Sequence, residues 1–266
     1  MELAGKVVVV TGGAGGIGAA LSRRFVAEGA AGVVVADLDA AAARQVAASL
    51  PPGRAVGVPC DVTSEMDIRR LVAAAEDDFG PVDLFCSNAG ITVGTGVEDT
   101  LPAGWQKAWE INVVAHVYGA RAVLPSMLAR GSGYLLHTCS AAGLLTSVGD
   151  APYAVTKHAA VALAEWLSIE YGGRGIRVSA LCPQGVRTPM LMDGLEQNHP
   201  GARITAASGA VLTPEQVADA VVEGLAAERF LILPHPEVAA YQRRKVADPD
   251  VWLAAMRSMV DRLDHG

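Results

Sequence analysis

Charge is scarce in this chain, aromatic side chains are scarcer, and one sign of charge prevails. Charged residues make up 18% of the 266 residues and aromatics 5%, with a net charge of −7. Lys and Arg form no run that could track a phosphate backbone, and the densest cluster, RRK at 243–245, reads as the solvated face of a helix. Nucleic acid is therefore excluded as a partner. No stretch approaches the roughly twenty apolar residues that a membrane-spanning helix needs. The first residues, MELAGKVVVVTGG, place one Lys before a short apolar run with no small-residue cleavage site, so they read as a first strand and not as an export signal. The expected location is cytoplasmic. Cys60, Cys86, Cys139 and Cys182 share no CxxC spacing; they read as buried reduced thiols, and no metal site is expected. Ser140 lies outside any Gly-x-Ser-x-Gly elbow, and paired carboxylates for glycoside cleavage are missing, which removes the common hydrolase classes.

What the chain has is apolar content, 51% of it, largely Ala and Val. Short β-branched runs alternate with longer Ala/Leu-rich stretches. Strands are predicted at 6–11, 32–36, 55–60, 82–87, 134–139, 176–182 and 230–233, and helices near 16–28, 39–49, 64–79, 102–130, 153–172 and 214–227. Strands that are apolar on both faces belong to a parallel sheet covered by helices on both sides. The expectation is one α/β domain over 1–266, a Rossmann-type doubly wound sheet of seven parallel strands, with a helical extension at 235–266.

The segment TGGAGGIG at 11–18 follows the first strand and opens a helix, the context of a phosphate-binding turn. Its spacing fits two patterns: Gly13, Gly15 and Gly18 satisfy GxGxxG, while Gly12, Gly16 and Gly18 satisfy GxxxGxG, with Ile17 between the last two. Asp37 ends the second strand, where a carboxylate can accept hydrogen bonds from a ribose 2′-OH and would repel a 2′-phosphate. NAD is thus expected over NADP. Asp61 and Val62 after the third strand, and Asn88, Ala89 and Gly90 after the fourth, fit the lining of the same crevice, with Asp61 able to accept from an adenine amino group.

In YAVTK at 153–157, Tyr153 and Lys157 fall four residues apart, on one face of a helix. Together with TGGAGGIG, Asp61-Val62, SNAG at 87–90, Asn112 and Ser140, in this order, the chain resembles the short-chain dehydrogenase/reductase family over about residues 4–190. The resemblance implies a tetrad of Asn112, Ser140, Tyr153 and Lys157. Tyr153 would be the general acid/base, its pKa lowered from about 10 by the Lys157 ammonium and an oxidised nicotinamide. Ser140 would donate to the substrate oxygen. Lys157 would also hold the nicotinamide ribose, and Asn112 a water that resupplies the proton. The implied reaction is reversible NAD(H)-dependent hydride transfer between a secondary alcohol and a ketone. An NAD sensor without turnover and an NADP-dependent carbonyl reductase remain as alternatives.

The chain departs from the family in two places. PQGVRT at 183–188 has Gln184 where glycine is usual; Pro183, Val186 and Thr188 still match and imply carboxamide contacts, while Gln184 either reaches the substrate or faces solvent. Residues 189–212 are where a substrate lid is expected, helical only briefly at 189–197. Met190, Leu191, Met192 and Leu195, with Leu144, Leu145 and Val148, offer an apolar wall, favouring an apolar small-molecule alcohol or ketone. The tail is longer than the family pattern. Trp252, Met256, Met259 and Leu263 form a stripe that packs on its own domain or covers a neighbour's pocket. The family implies a homodimer or homotetramer through helices 102–130 and 153–172. His116 and His137 read as satisfied core or interface residues.

Overall fold

The computed structural model describes residues 1–264, with side chains as far as Arg262. Seven strands form one sheet: β1 Val7–Thr11, β2 Gly32–Asp37, β3 Ala55–Pro59, β4 Leu84–Ser87, β5 Gly133–Thr138, β6 Ile176–Leu181 and β7 Leu231–Ile232. Their order is β3-β2-β1-β4-β5-β6-β7, every pair parallel. This is the doubly wound sheet that the alternating pattern predicts. All five residues of β1 are buried, because helices cover both faces of the sheet.

On one face lie α3 Glu65–Phe79, α5 Ala115–Arg130 and α7 Ala151–Tyr171, with Ile68, Leu71, Met127, Val161 and Ala164 in the core they share. On the other lie α1 Gly16–Ala27, α2 Ala40–Ala48 and α10 Pro214–Ala226, packed through Leu21, Phe25, Val46, Val217 and Val221. The caps are those the sequence supplies. Asp39 accepts from Ala41 and Ala42 at α2, Ser64 from Asp67 at α3, and Thr213 and Gln216 close a capping box at α10. Strand order reverses between β1 and β4, which opens a crevice at their C-terminal ends.

The predicted helix at 102–130 is not continuous. It divides into α4 Pro102–Trp109 and α5, joined by a π-helical turn at Glu110–Val114. Asn112 sits in that turn, its amide tied to the Ile91 backbone and the Thr156 hydroxyl, and a widened turn is a common way for a helix to aim such a residue. The seventh strand shortens to two residues. The brief helix expected at 189–197 is α8 Pro189–Glu196, and two helices exceed the expectation: α6 Ala142–Leu145 and α9 Pro200–Ala207. The extension forms α11 Glu237–Ala247 and α12 Pro249–Asp264. Among the described residues no helix is long and apolar enough to cross a membrane, and the four cysteines are buried and free.

His116 and His137 lie in the core, as the sequence suggests, but they are not fully satisfied. Their rings stack with centroids 5.1 Å apart and Nδ1 atoms 3.0 Å apart, so one ring must donate to the other, yet both Nε2 atoms are buried without a partner among the described residues. Burial pushes both pKa values down, that of His137 to about 4. An unfolded histidine takes up its proton near pH 6.5, so the unfolded state gains protons first and stability falls as pH drops from there towards 4. His137 alone contributes a loss of about 2 kcal/mol between pH 7.5 and pH 5. Urea unfolding at the two pH values checks this: the wild type should lose stability over that interval, and His137→Asn should lose about 2 kcal/mol less.

Candidate active site

The turn between β1 and α1 is shaped around its glycines. Gly12 and Gly16 have φ of +61° and +49°, in the left-handed region, so the structure imposes the GxxxGxG constraints on this turn. A β-carbon on Gly18 would collide with the Gly12 carbonyl and the Asn88 amide. Gly15 differs: its backbone is extended and a β-carbon would meet no protein atom within 4 Å. Gly15 is also the N-cap of α1 and supplies no side chain to its free N–H groups. Open space, bare amides and a helix N-terminus together fit a pyrophosphate. Asp37 lies beside the turn, its carboxylate accepting from the Ala14 N–H at 3.0 Å and the Asp39 N–H at 3.1 Å. The cradle therefore fits a dinucleotide, with Asp37 at its edge.

The next two strand ends line the same crevice, but their polar groups already have work. Asp61 Oδ1 accepts from the Thr63 N–H and hydroxyl, ordinary turn chemistry. Asn88 donates to the carbonyls of Thr11 and Gly12 and accepts from the Thr138 hydroxyl, which locks β1, β4 and β5 in register. Val62, Ala89 and Gly90 face the pocket, and a β-carbon on Gly90 would stand 3.2 Å from Lys157 Nζ and 3.3 Å from Asn112 Oδ1.

Ser140, Tyr153 and Lys157 converge there. Ser140 Oγ accepts from the Ala142 N–H at 3.1 Å, which leaves its own proton free to donate. It interacts with the Tyr153 phenol. Tyr153 stands in the first turn of α7, where Asp150 caps the helix by accepting from its N–H at 2.9 Å. One turn on, Lys157 is buried; Nζ donates to the Thr138 carbonyl at 2.9 Å and lies 5.6 Å from the Tyr153 ring centroid. Asn112 joins them structurally: both amide hydrogens are committed, one to the Ile91 carbonyl and one to Thr156 Oγ1, so the side chain braces the loop.

Without the oxidised nicotinamide that the expectation includes, the Tyr153 pKa is raised. Burial pushes the phenol up to about 12, the Ser140 hydrogen bond opposes this, and Asp150 adds to it. Burial lowers the pKa of the neighbouring Lys157 as well, and its ammonium donates to the Thr138 carbonyl.

A cavity of about 1570 Å³ joins these groups to Met190, Leu191, Leu145 and Val148. That exceeds the usual 300–1,000 Å³ of a pocket for one ligand. A profile of the short chain dehydrogenases matches residues 6–199. The chain belongs to the short-chain dehydrogenase family. It is 38% identical over 257 residues to 1-deoxy-11-beta-hydroxypentalenate dehydrogenase of Streptomyces exfoliatus, covering 95% of this chain and 90% of the relative. It is 34% identical to meso-2,3-butanediol dehydrogenase of Serratia marcescens, covering 86% and 90%. A solved short chain dehydrogenase/reductase from Burkholderia phymatum in complex with NAD superposes with a TM-score of 0.83 at 29% identity, covering 94% of this chain and 96% of that one.

As a short-chain dehydrogenase, the protein departs where the sequence departs. Gln184 does not face open solvent: it is half-buried in the pocket lining, and its Oε1 is buried without a partner among the described residues. Pro183 accepts from the Ala141 N–H, Val186 bridges to Leu212, and Thr188 is the N-cap of α8. Sequence reasoning missed Asp150 and Lys245. An Asp three residues before Tyr153, ahead of an apolar periodic run, is a helix-start signal that could have revealed the first. Lys245, whose Nζ donates to the Leu144 carbonyl at 2.8 Å, had no local signal.

The two glycines separate structural from ligand roles. Gly18→Ala should destabilise the fold by about 2 kcal/mol or more, measured by urea unfolding, because backbone must move to admit the methyl. Gly15→Ala should leave stability within about 0.5 kcal/mol and weaken NAD binding at least about tenfold by titration calorimetry.

Proposed function

We propose that this short-chain dehydrogenase oxidises an apolar secondary alcohol to a ketone, reversibly, with NAD. The observation that supports it best is a single pocket in which Ser140, Tyr153 and Lys157 meet beside the Gly15–Asp37 cradle. A nicotinamide cofactor is what the family uses; when bound, it supplies the hydride acceptor or donor. The named relatives act on a hydroxypentalenate and a butanediol, each bearing a carbinol, and this supports an alcohol here.

The residues divide the work. Ser140, its oxygen anchored by the Ala142 N–H, donates to the substrate oxygen and stabilises alkoxide character. Tyr153 takes the carbinol proton at its phenol oxygen and returns it in reduction. With the phenol raised to about 12, it needs a nearby positive charge to reach the phenolate. Lys157, anchored on Thr138, is the fixed cation of the site and the proposed holder of the nicotinamide ribose, while Asn112 keeps the Ile91 loop closed beside it. Pro183, Val186 and Thr188 are placed to meet the carboxamide.

Asp37 supports NAD over NADP. Of the pocket's cations, Lys157, Arg244 and Arg262, none lies on the loops after β2 or β3 where a 2′-phosphate would fall. Oxidation is the natural direction in a cell that keeps NAD oxidised. Residues 189–212 serve as the substrate lid and 235–266 as an extension of one domain. The exposed apolar residues Val155, Trp166 and Ile169 on α7 support a homodimer or homotetramer, and free buried thiols support a cytoplasmic location.

Tyr153→Phe should lower kcat about 10²–10⁴-fold while NAD affinity changes less than about threefold; NADH formation at 340 nm with a panel of apolar secondary alcohols, beside calorimetry with NAD, measures both. Wild-type silence across the panel with NAD bound would favour a sensor. Asp37→Ala should weaken NAD at least about tenfold and narrow its advantage over NADP, which cofactor titrations compare directly.

A further inference from the structure

We infer that the C-terminal helical pair selects alcohols whose apolar body ends in a carboxylate, with Arg244 and Arg262 as the counter-charges. The inference rests on the dehydrogenase reading of the same pocket and narrows its substrate.

The pair is fixed against the catalytic segment. Lys245 on α11 donates to the Leu144 carbonyl at 2.8 Å and to Thr146 Oγ1 at 3.4 Å, closing the end of the short helix that follows Ser140. Tyr241 of α11 meets Trp252 of α12 with ring centroids 6.5 Å apart. So held, α12 turns Trp252, Met256, Met259 and Arg262 into the cavity, spacings of four, three and three that share one helix face, and α11 adds Arg244. The wall is apolar along α12 and reaches a guanidinium near its end.

These two cations are unmatched. Arg244 and Arg262 are the two arginines that line the cavity; both side chains are exposed and, like most arginines of this chain, neither enters an ion pair among the described residues. Neither α11 nor α12 brings a carboxylate to the pocket; the acidic residues that line it, such as Asp99 and Asp193, come from the loop before α4 and from α8. A guanidinium presents a planar fork that matches a carboxylate in bidentate fashion. Apolar side chains between such forks and Ser140 fit a hydrocarbon body, and the cavity of about 1570 Å³ has room for it beside a dinucleotide.

Calorimetry on the NAD-loaded protein tests this with decanoate and its neutral counterpart decanamide, neither of which has a carbinol to oxidise. Wild type should bind decanoate at least about tenfold more tightly, an advantage that shrinks between 50 and 500 mM salt. The double variant Arg244→Gln, Arg262→Gln should erase the difference. Equal binding of both ligands by wild type, no binding of either, or discrimination that survives in the double variant would each overturn the inference. Because turnover is not read, intact discrimination in a protein that forms no NADH would count against the dehydrogenase reading alone.

Discussion

A buried ammonium bonded to the last carbonyl of a strand organises this molecule. Lys157 is only 3% exposed, and an ion in that position is tolerated only if its hydrogen bonds are met. Its acceptor is Thr138, whose hydroxyl donates to Asn88, whose amide in turn donates to the carbonyls of Thr11 and Gly12. One chain of hydrogen bonds thus runs from the acid/base helix across β5, β4 and β1 to the glycine turn. Displacing any link would leave a buried polar group unpaired, at about 1–3 kcal/mol. The two halves of the site therefore hold their spacing because the sheet's C-terminal edge is a rigid polar lattice.

The same burial sets a problem that the chain does not solve alone. A phenol raised to a pKa of about 12 is disfavoured as phenolate by about 3 kcal/mol relative to its ordinary value. Ser140 opposes that rise and Asp150 reinforces it, so the cofactor-free pocket keeps Tyr153 protonated. In our reading the compensating charge arrives with the oxidised cofactor. This couples proton abstraction to cofactor occupancy, and an alcohol that enters first meets a neutral phenol.

The sheet and the chemical signature were legible because each rests on short-range pattern. Val7 to Val10 and Val33 to Val35 could only be strands buried on two faces, and Tyr153 with Lys157 could share a helix face by spacing alone. What stayed hidden was long-range. His116 and His137 lie 21 residues apart, and nothing local says that their rings stack. Asn112 widens its helix into a π turn because Ile91 and Thr156, from other elements, hold its amide. The rise of the Tyr153 pKa in the cofactor-free pocket was hidden for a related reason: sequence spacing counts the neighbouring cation but not the water removed from around the phenol. Leu263, the last member of the tail stripe, falls outside the described side chains, so the stripe is established only through Met259.

The pocket consequently has two kinds of wall. Its reacting side is made of strand ends and the first turns of α1 and α7, elements fixed by the core and the polar lattice. Its far side is made of α8, α9 and the α11–α12 pair, the last anchored by Val238 in the core, by Tyr241 and Trp252 packed against it, and by Lys245. Substitutions on the second wall leave the hydrogen-bond chain from Lys157 to Gly12 intact. Substrate choice can therefore change there without disturbing the chemistry, and the C-terminal helices add material to that wall.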